Sequence, residues 1–239
     1  MRYTLFYIWL ISLPAFGGDQ RLINGQKADL KDWPASVRAG GCTSTLVGER
    51  TLLIASHCVS NGGKVSLTAK GVKHSATCTH SKLYPSNKTA DWSLCLVSDR
   101  VEGVSFENLN ADAGLVREGD TLLLTGYGCI RPGGGGGNDG IYRIGNTKVI
   151  KLPKGNDHDI VTRGGAALCY GDSGGPAFYV SGSTGERRVV GVNSRGNIST
   201  TSYLSSLTTE TAKAFIEEWA KKSAQRICGV HTDAQGCRK

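Results

Sequence analysis

The chain has 239 residues, of which 39% are hydrophobic and 33 are glycine, a composition typical of a loop-rich globular protein and not of a disordered chain. Its formal net charge is +8, but the basic residues form no long run and no motif in which they alternate with aromatic residues. We therefore interpret the charge as a solvated surface and expect no specific nucleic-acid partner. The alternative, a basic nucleic-acid binder, predicts salt-sensitive retention on DNA.

Residues 1–17 have the pattern of a secretory signal peptide. Arg2 supplies an early positive charge, the run Leu5–Leu13 is apolar, and Ala15 and Gly17 have the spacing of a signal-peptidase site. The run is short for a membrane span, and a short N-terminal anchor is the alternative interpretation. No later segment is apolar enough to span a membrane. We therefore expect an exported protein, extracellular or, in a bacterium, periplasmic.

The eight cysteines all follow this leader, and their even number favours four disulfides formed in an oxidising compartment. Metal binding is the competing interpretation. It is disfavoured because the chain has no CxxC pair and its histidines are scattered. No dinucleotide, P-loop or EF-hand motif occurs either, so we expect neither a metal nor a cofactor.

Short apolar runs follow one another through the chain and predict β structure. They are "TLLIAS", "KVSLTA", "DWSLCLV", "TLLLTGYG", "IYRIGNTKVIKL" and "RRVVGVNS", each broken by turn-forming residues. Short strands at this spacing favour an all-β sandwich or barrel. The glycine-rich segment Arg131–Asp139 is interpreted as a surface loop within the β domain, with a linker between domains as the alternative.

One helical pattern stands out, in "TTETAKAFIEEWAKKSAQRICG" near the C-terminus. Its apolar side chains recur at three- and four-residue steps, which places on one face Ala212, Phe215, Ile216, Trp219 and Ala220. A threonine, Thr208 or Thr209, can cap its start. We expect an amphipathic helix that packs on the β core and carries no chemistry.

The segment "LCYGDSGGPAF" surrounds Ser173 with glycines and an aspartate. A tight turn is the simplest explanation, since these residues suit turns. A serine nucleophile, however, needs a base, and a histidine base needs an acid to orient it. His57 ends the apolar run "LIASHCVS", and Asp91 heads the run "DWSLCLV". These three residues are the candidates for catalysis.

The segments around them resemble the trypsin/chymotrypsin family of serine endopeptidases. "ASHC" is similar to the family's Ala-Ala-His-Cys signature and "ADWSLCLV" to its Asn-Asp-Ile-Ala-Leu-Leu segment. "GDSGGP" matches the nucleophile motif, and "TGYGC" resembles the Gly-Trp-Gly turn. The resemblance covers about residues 22–222 and leaves 223–239 as a disulfide-containing tail. It implies two packed six-stranded antiparallel β-barrels, a C-terminal α-helix and a monomer.

The same "GDSGG" also satisfies the Gly-x-Ser-x-Gly elbow of α/β-hydrolases. In that fold the acid and base follow the serine, whereas His57 and Asp91 precede it here. The chain also lacks the alternation of strands and helices that a parallel sheet needs. The order of the motifs therefore favours the trypsin-like interpretation.

The resemblance implies a role for each candidate. Ser173 attacks the peptide carbonyl, His57 takes its proton and later protonates the leaving amine, and Asp91 orients His57. The backbone amides of Gly171 and Ser173 form the oxyanion hole. A catalytically silent homologue that serves as a binding module is the alternative, although silent members usually lose a triad residue.

The segment "QRLINGQ" looks like the family's activation site. Cleavage after Arg21 would remove the short propeptide 18–21 and free the amine of Leu22. By resemblance this amine pairs with Asp172, a carboxylate whose burial needs a partner. The alternative is a turn before a strand.

The resemblance also suggests how the cysteines pair. The first bridge clamps the histidine loop in the family. The second has no counterpart in the commonest family members, and we expect it because its cysteines lie in two strand-like runs that are expected to be antiparallel neighbours. For the third, the usual partner of Cys169 is absent from the segment "NSRGNISTTSYL", and the glycine turn lies close to the nucleophile loop in the family. The last bridge would close a loop after the helix, and the connectivity beyond the first bridge stays open. The expected pairs are Cys42–Cys58, Cys78–Cys95, Cys129–Cys169 and Cys228–Cys237.

The residue six before the nucleophile sets specificity in the family, and here it is Ala167 instead of an acid. Lys or Arg side chains would enter such a pocket unpaired, so we expect a preference for uncharged, apolar residues before the scissile bond. Ser194 and Gly196 are expected in the pocket wall, and Arg195 replaces the usual aromatic residue. The expected partners are protein or peptide substrates, a separate trypsin-like activating protease and proteinaceous inhibitors.

Overall fold

The computed structural model describes residues 22–110, 112–136 and 139–239. The predicted signal peptide and propeptide, including Arg21, lie outside the described residues. The elements in chain order are β1 (Gln26–Lys27), β2 (Ser36–Ala39), β3 (Cys42–Gly48), β4 (Thr51–Ile54), a 3-10 turn (Ser56–Cys58), β5 (Lys64–Ala69), β6 (Val72–His80), β7 (Ser93–Val97), β8 (Thr121–Gly126), β9 (Arg143–Lys151), β10 (Asp159–Gly165), β11 (Pro176–Val180), β12 (Arg187–Gly196), β13 (Thr201–Ser206) and α1 (Glu210–Ser223).

Strands β2 to β7 form the first barrel, which closes in the order β2-β3-β4-β7-β6-β5 with antiparallel pairs. Side chains alternate between its two faces, as the period of two in a strand requires. In β6, for example, His74, Ala76 and Cys78 are buried, whereas Ser75 and Thr77 between them are exposed. The apolar side chains that point into the barrel, Ala76 and Cys78 among them, form one of the hydrophobic clusters of the protein.

Strands β8 to β13 form the second barrel. They pair in the order β9-β10-β13-β12-β11-β8, and β8 pairs with β9 to close the ring. The two-residue strand β1 adds to the outer edge of β9. The predicted fold class of two six-stranded antiparallel barrels is therefore confirmed. Because β8 and β9 pair directly, the glycine-rich segment lies between two neighbouring strands of one barrel, and the linker interpretation is wrong.

The predicted helix is α1, which packs on a cluster shared by the two barrels. The side chain of Thr209 accepts a hydrogen bond from the Ala212 amide and caps the helix. Ile216 and Trp219 are buried together with Trp92 and Phe178 from the barrels. None of the helices among the described residues is long and apolar enough to cross a membrane.

Four disulfides join all eight cysteines of the chain, in the pairs expected from the sequence. The C-terminal tail is held by backbone hydrogen bonds as well as by the bridge Cys228–Cys237. The amide of Cys228 donates to the carbonyl of Val47, and the amide of Arg238 donates to the carbonyl of Phe106. The tail therefore packs against the first barrel.

Candidate active site

His57 and Asp91 meet at the edge of the first barrel. His57 lies in the 3-10 turn after β4, and the bridge from Cys58 to Cys42 ties this turn to β3. The Nδ1 atom of His57 lies 2.6 Å from Oδ2 of Asp91, and the His57 amide donates to Oδ1 at 2.9 Å. The side chain of Asp91 is 3% exposed, whereas that of His57 is 36% exposed. A buried carboxylate thus fixes an accessible imidazole, whose Nε2 is left as the basic nitrogen.

The carboxylate of Asp91 also accepts a hydrogen bond from a serine hydroxyl. Ser194 in β12 donates through Oγ to Oδ2 of Asp91 at 2.6 Å, and the Asp91 amide donates to Oγ of Ser205 at 3.2 Å. The sequence predicted Ser194 only as a pocket residue, since the 103 residues that separate it from Asp91 hide the contact. Hydrogen bonds to the charged form of a carboxylate stabilise that form.

Ser173 lies in the loop between β10 and β11 and lines the same cavity of about 490 Å³ as His57 and Asp91. Thr43 holds this loop through two bonds. Its amide donates to the carbonyl of Ser173 at 3.0 Å, and its hydroxyl donates to the carbonyl of Gly171 at 2.7 Å. Within the described residues the Ser173 hydroxyl forms no hydrogen bond to His57. The structure therefore joins two of the three candidates directly and places the third in their cavity.

The predicted oxyanion hole lies in the same loop. Gly171 has φ of 97°, a conformation that residues with a side chain rarely adopt. Among the described residues neither its amide nor that of Ser173 has a hydrogen-bond acceptor. Gly174 is required by close packing, since a Cβ there would lie 2.5 Å from the carbonyl oxygen of Thr43. Two free amides beside the candidate nucleophile Ser173 are what the stabilisation of an oxyanion would need.

Asp172 points away from the cavity and is fully buried. Its carboxylate accepts hydrogen bonds from the amides of Gly128 at 2.8 Å and Cys169 at 2.9 Å. A Cβ on Gly128 would lie 2.5 Å from its Cγ, so the glycine turn is shaped around this carboxylate. Burial raises the pKa of Asp172 to about 7, although the two amides and the nearby charge of Arg143 lower it.

The family model described as Trypsin matches residues 22–215 of the chain. The chain belongs to the trypsin family. No curated protein sequence matches it. Family membership makes the chain a trypsin-like serine protease, a disulfide-bonded hydrolase whose substrates are proteins.

The candidate substrate pocket of this trypsin-family protein has both apolar and polar walls. Ser194 and Gly196 line the cavity as expected, together with Leu168 and Ile198. Ala167 is fully buried, pairs with Ile23 in a β-bridge and does not line the cavity. The expectation that Ala167 forms the base of this cavity is therefore not met, because its backbone pairs with that of Ile23 away from the cavity lining.

Arg195, between the two pocket residues, faces the same cavity and forms an ion pair with Asp159. Its guanidinium carbon also lies 4.9 Å from the centroid of the Tyr203 ring. Burial raises the pKa of Asp159 to about 6, and Arg195 opposes this shift. The sequence showed that Arg195 replaces an aromatic residue, but not that a buried carboxylate holds it.

The described residues contain one group of possible metal ligands, formed by Cys42, His57 and Cys58. The two cysteines are joined in a disulfide and offer no thiolate. The group is therefore not a metal centre, and its disulfide holds the turn that contains His57 against β3.

Proposed function

We propose that the protein is a secreted serine endopeptidase that uses His57, Asp91 and Ser173 to hydrolyse peptide bonds. The observation that carries the proposal is the buried Asp91 bonded to Nδ1 of His57, in a cavity that Ser173 also lines. The protease domain comprises residues 22–222, with 223–239 as its disulfide-closed tail, and it acts as a monomer.

The reaction follows from the properties of these groups. Oγ of Ser173 attacks the carbonyl carbon while Nε2 of His57 takes its proton, and Asp91 stabilises the resulting imidazolium. The amides of Gly171 and Ser173 donate to the oxyanion, each such donor lowering the barrier by about 3 kcal/mol. His57 then protonates the leaving amine as the C–N bond breaks. Water, deprotonated by His57, hydrolyses the acyl-enzyme and restores Ser173.

The chain is made as a zymogen, which is activated by cleavage after Arg21. Support comes from Asp172, a buried carboxylate that has two amide donors but keeps a raised pKa. The amine of Leu22, a residue already buried, supplies the missing positive charge. Leu22 also has φ of 56° in the uncleaved chain, a strained conformation that cleavage of the preceding bond releases.

The enzyme cleaves after uncharged, apolar residues. Leu168 and Ile198 give the cavity apolar walls, and Ala167 offers no carboxylate to a Lys or Arg side chain. It follows that the enzyme does not process its own Arg21 and that a separate trypsin-like protease activates it. Proteinaceous inhibitors that mimic substrates would occupy the same cavity.

Labelling with a fluorophosphonate probe tests the activity. The protein cleaved after Arg21 should be labelled, and both the uncleaved chain and the cleaved Ser173→Ala variant should react much less. Edman sequencing of the labelled protein should begin at Leu22. Absence of labelling in a folded, cleaved protein would refute the enzyme and favour the catalytically silent binding module.

A further inference from the structure

A second cavity, of about 690 Å³, lies on the outside of the first barrel, beside strands β2, β5 and β6. It is larger than the active-site cavity, and neither His57 nor Ser173 lines it. We call it the basic groove, because the residues that line it include Lys31, Arg38 and Lys70 as well as Lys73, and none of them is acidic.

The cations of the basic groove are exposed and uncompensated. Among the described residues no acid forms an ion pair with any of the four. Like charges that share a concave surface repel one another and raise the local concentration of anions. The groove is therefore complementary to a negatively charged ligand.

The groove also exposes apolar surface. Leu30 in its wall is 46% exposed. The ring of Tyr127 forms part of the wall, and its centroid lies 5.9 Å from the guanidinium carbon of Arg38. A polysaccharide has no side chains to place on Leu30, whereas a peptide with alternating acidic and apolar residues matches both the cations and this apolar surface.

The wall of the groove is bonded to the nucleophile loop. The amide of Tyr127 donates to the hydroxyl of Thr43 at 3.0 Å, and the same hydroxyl donates to the carbonyl of Gly171 at 2.7 Å. The groove and the candidate oxyanion hole therefore flank one hydrogen-bonded unit.

We propose that the basic groove binds an acidic, amphipathic segment of the protein substrate, so that substrates are selected away from the scissile bond as well as beside it. Selection of a substrate rests on the proposed protease function, whereas binding of the segment does not. The two can therefore be tested separately.

Binding is measured by the fluorescence anisotropy of a short peptide that alternates glutamate and leucine, using the full chain with Ser173→Ala to prevent cleavage. The double variant Lys70→Gln, Lys73→Gln should weaken binding about five-fold or more. The matched control Lys154→Gln, Lys221→Gln removes two exposed cations elsewhere and should change binding less than about two-fold. A peptide with glutamine for every glutamate should not bind.

Three results would overturn the proposal: no binding of the acidic peptide, equal weakening by both double variants, or binding of a sulfated oligosaccharide in place of the peptide. Fluorophosphonate labelling of the two double variants, with Ser173 intact and after cleavage at Arg21, separates the questions. Labelling should equal that of the parent protein. If no protein is labelled, the protease proposal fails, while the anisotropy result still decides whether the groove binds the peptide.

Discussion

Cleavage after Arg21 should change how the stability of the protein depends on pH, because it supplies a cation to Asp172. In the uncleaved chain burial raises the pKa of Asp172 from 3.8 to about 7. Between these values the native state binds the proton more tightly than the unfolded state. The free energy of unfolding therefore falls as pH rises through this window, by up to about 4 kcal/mol for a shift of about 3 pH units.

Pairing with the Leu22 amine lowers the pKa of Asp172 and removes most of this fall. At pH about 4, where the carboxyl is protonated in the uncleaved native state, the two forms should have similar stability. Above pH about 7 the cleaved protein should be the more stable form by up to about 4 kcal/mol. The difference between the two curves reports the pair formed by Asp172 and the new amine of Leu22, since the other groups, Asp159 among them, are present in both forms.

Urea unfolding, followed by tryptophan fluorescence from acid to neutral pH, measures both curves in a Ser173→Ala background with the disulfides intact. The uncleaved Asp172→Asn variant is the control and should lack the fall in stability. Parallel curves for the cleaved and uncleaved forms would refute the pairing with Leu22. A fall that persists in Asp172→Asn would show that another group causes it.

Three further substitutions probe the site. Ser194→Ala removes a hydrogen-bond donor to the carboxylate of Asp91. In steady-state kinetics it should lower kcat/KM about ten-fold or more with little change in KM. An unchanged kcat would contradict this role of Ser194. Gly128→Ala would place a Cβ 2.5 Å from Cγ of Asp172 and should destabilise the protein by about 3 kcal/mol or more in thermal unfolding. The control is Gly182→Ala, whose Cβ would meet nothing within 4 Å and which should change the stability by less than about 0.5 kcal/mol. Equal losses of stability in Gly128→Ala and Gly182→Ala would contradict the packing explanation. Ala167→Asp should shift cleavage by the activated enzyme towards Lys and Arg in a peptide library, and an unchanged profile would remove Ala167 from the pocket base.

The sequence predicted the fold well because each of its local signals agrees with the tertiary structure. The apolar runs became strands, and the three- and four-residue spacing from Ala212 to Ala220 became the buried face of α1. Sequence reasoning could not find β1, since two residues, Gln26 and Lys27, are too few to form a pattern. That strand exists because β9 offers it an edge.

The candidate site was predictable only where a motif is continuous in sequence. His57, Asp91 and Ser173 each sit in a recognisable segment. The contact between Asp159 and Arg195 carries no local signal, because 36 residues separate the two and only the pairing of β10 and β12 with β13 brings them together. The basic groove was missed for the same reason.

The basic groove depends on strand register. Lys31 and Arg38 come from the segment that leads into and forms β2, whereas Lys70 and Lys73 flank the turn between β5 and β6. In the sequence the two pairs of cations are far apart, and neither pair forms a basic run that would predict a shared surface. The barrel closes by pairing β2 with β5, at a single position, Ala39 opposite Leu67, and this closure joins the pairs into one surface.

Strand β12 shows how one short segment can serve several parts of the site. Ser194 is buried and donates to Asp91, and the next residue, Arg195, pairs with Asp159. Gly196 follows with its backbone beside Leu168, where a Cβ would lie 2.8 Å from the carbonyl oxygen of Thr201. All three residues line the active-site cavity, and the register of β12 against β13 shifts between Asn193 and Arg195, so the strand is irregular where it serves the site. The register of β12 against β13 therefore links the orientation of the triad carboxylate to the shape of the substrate cavity.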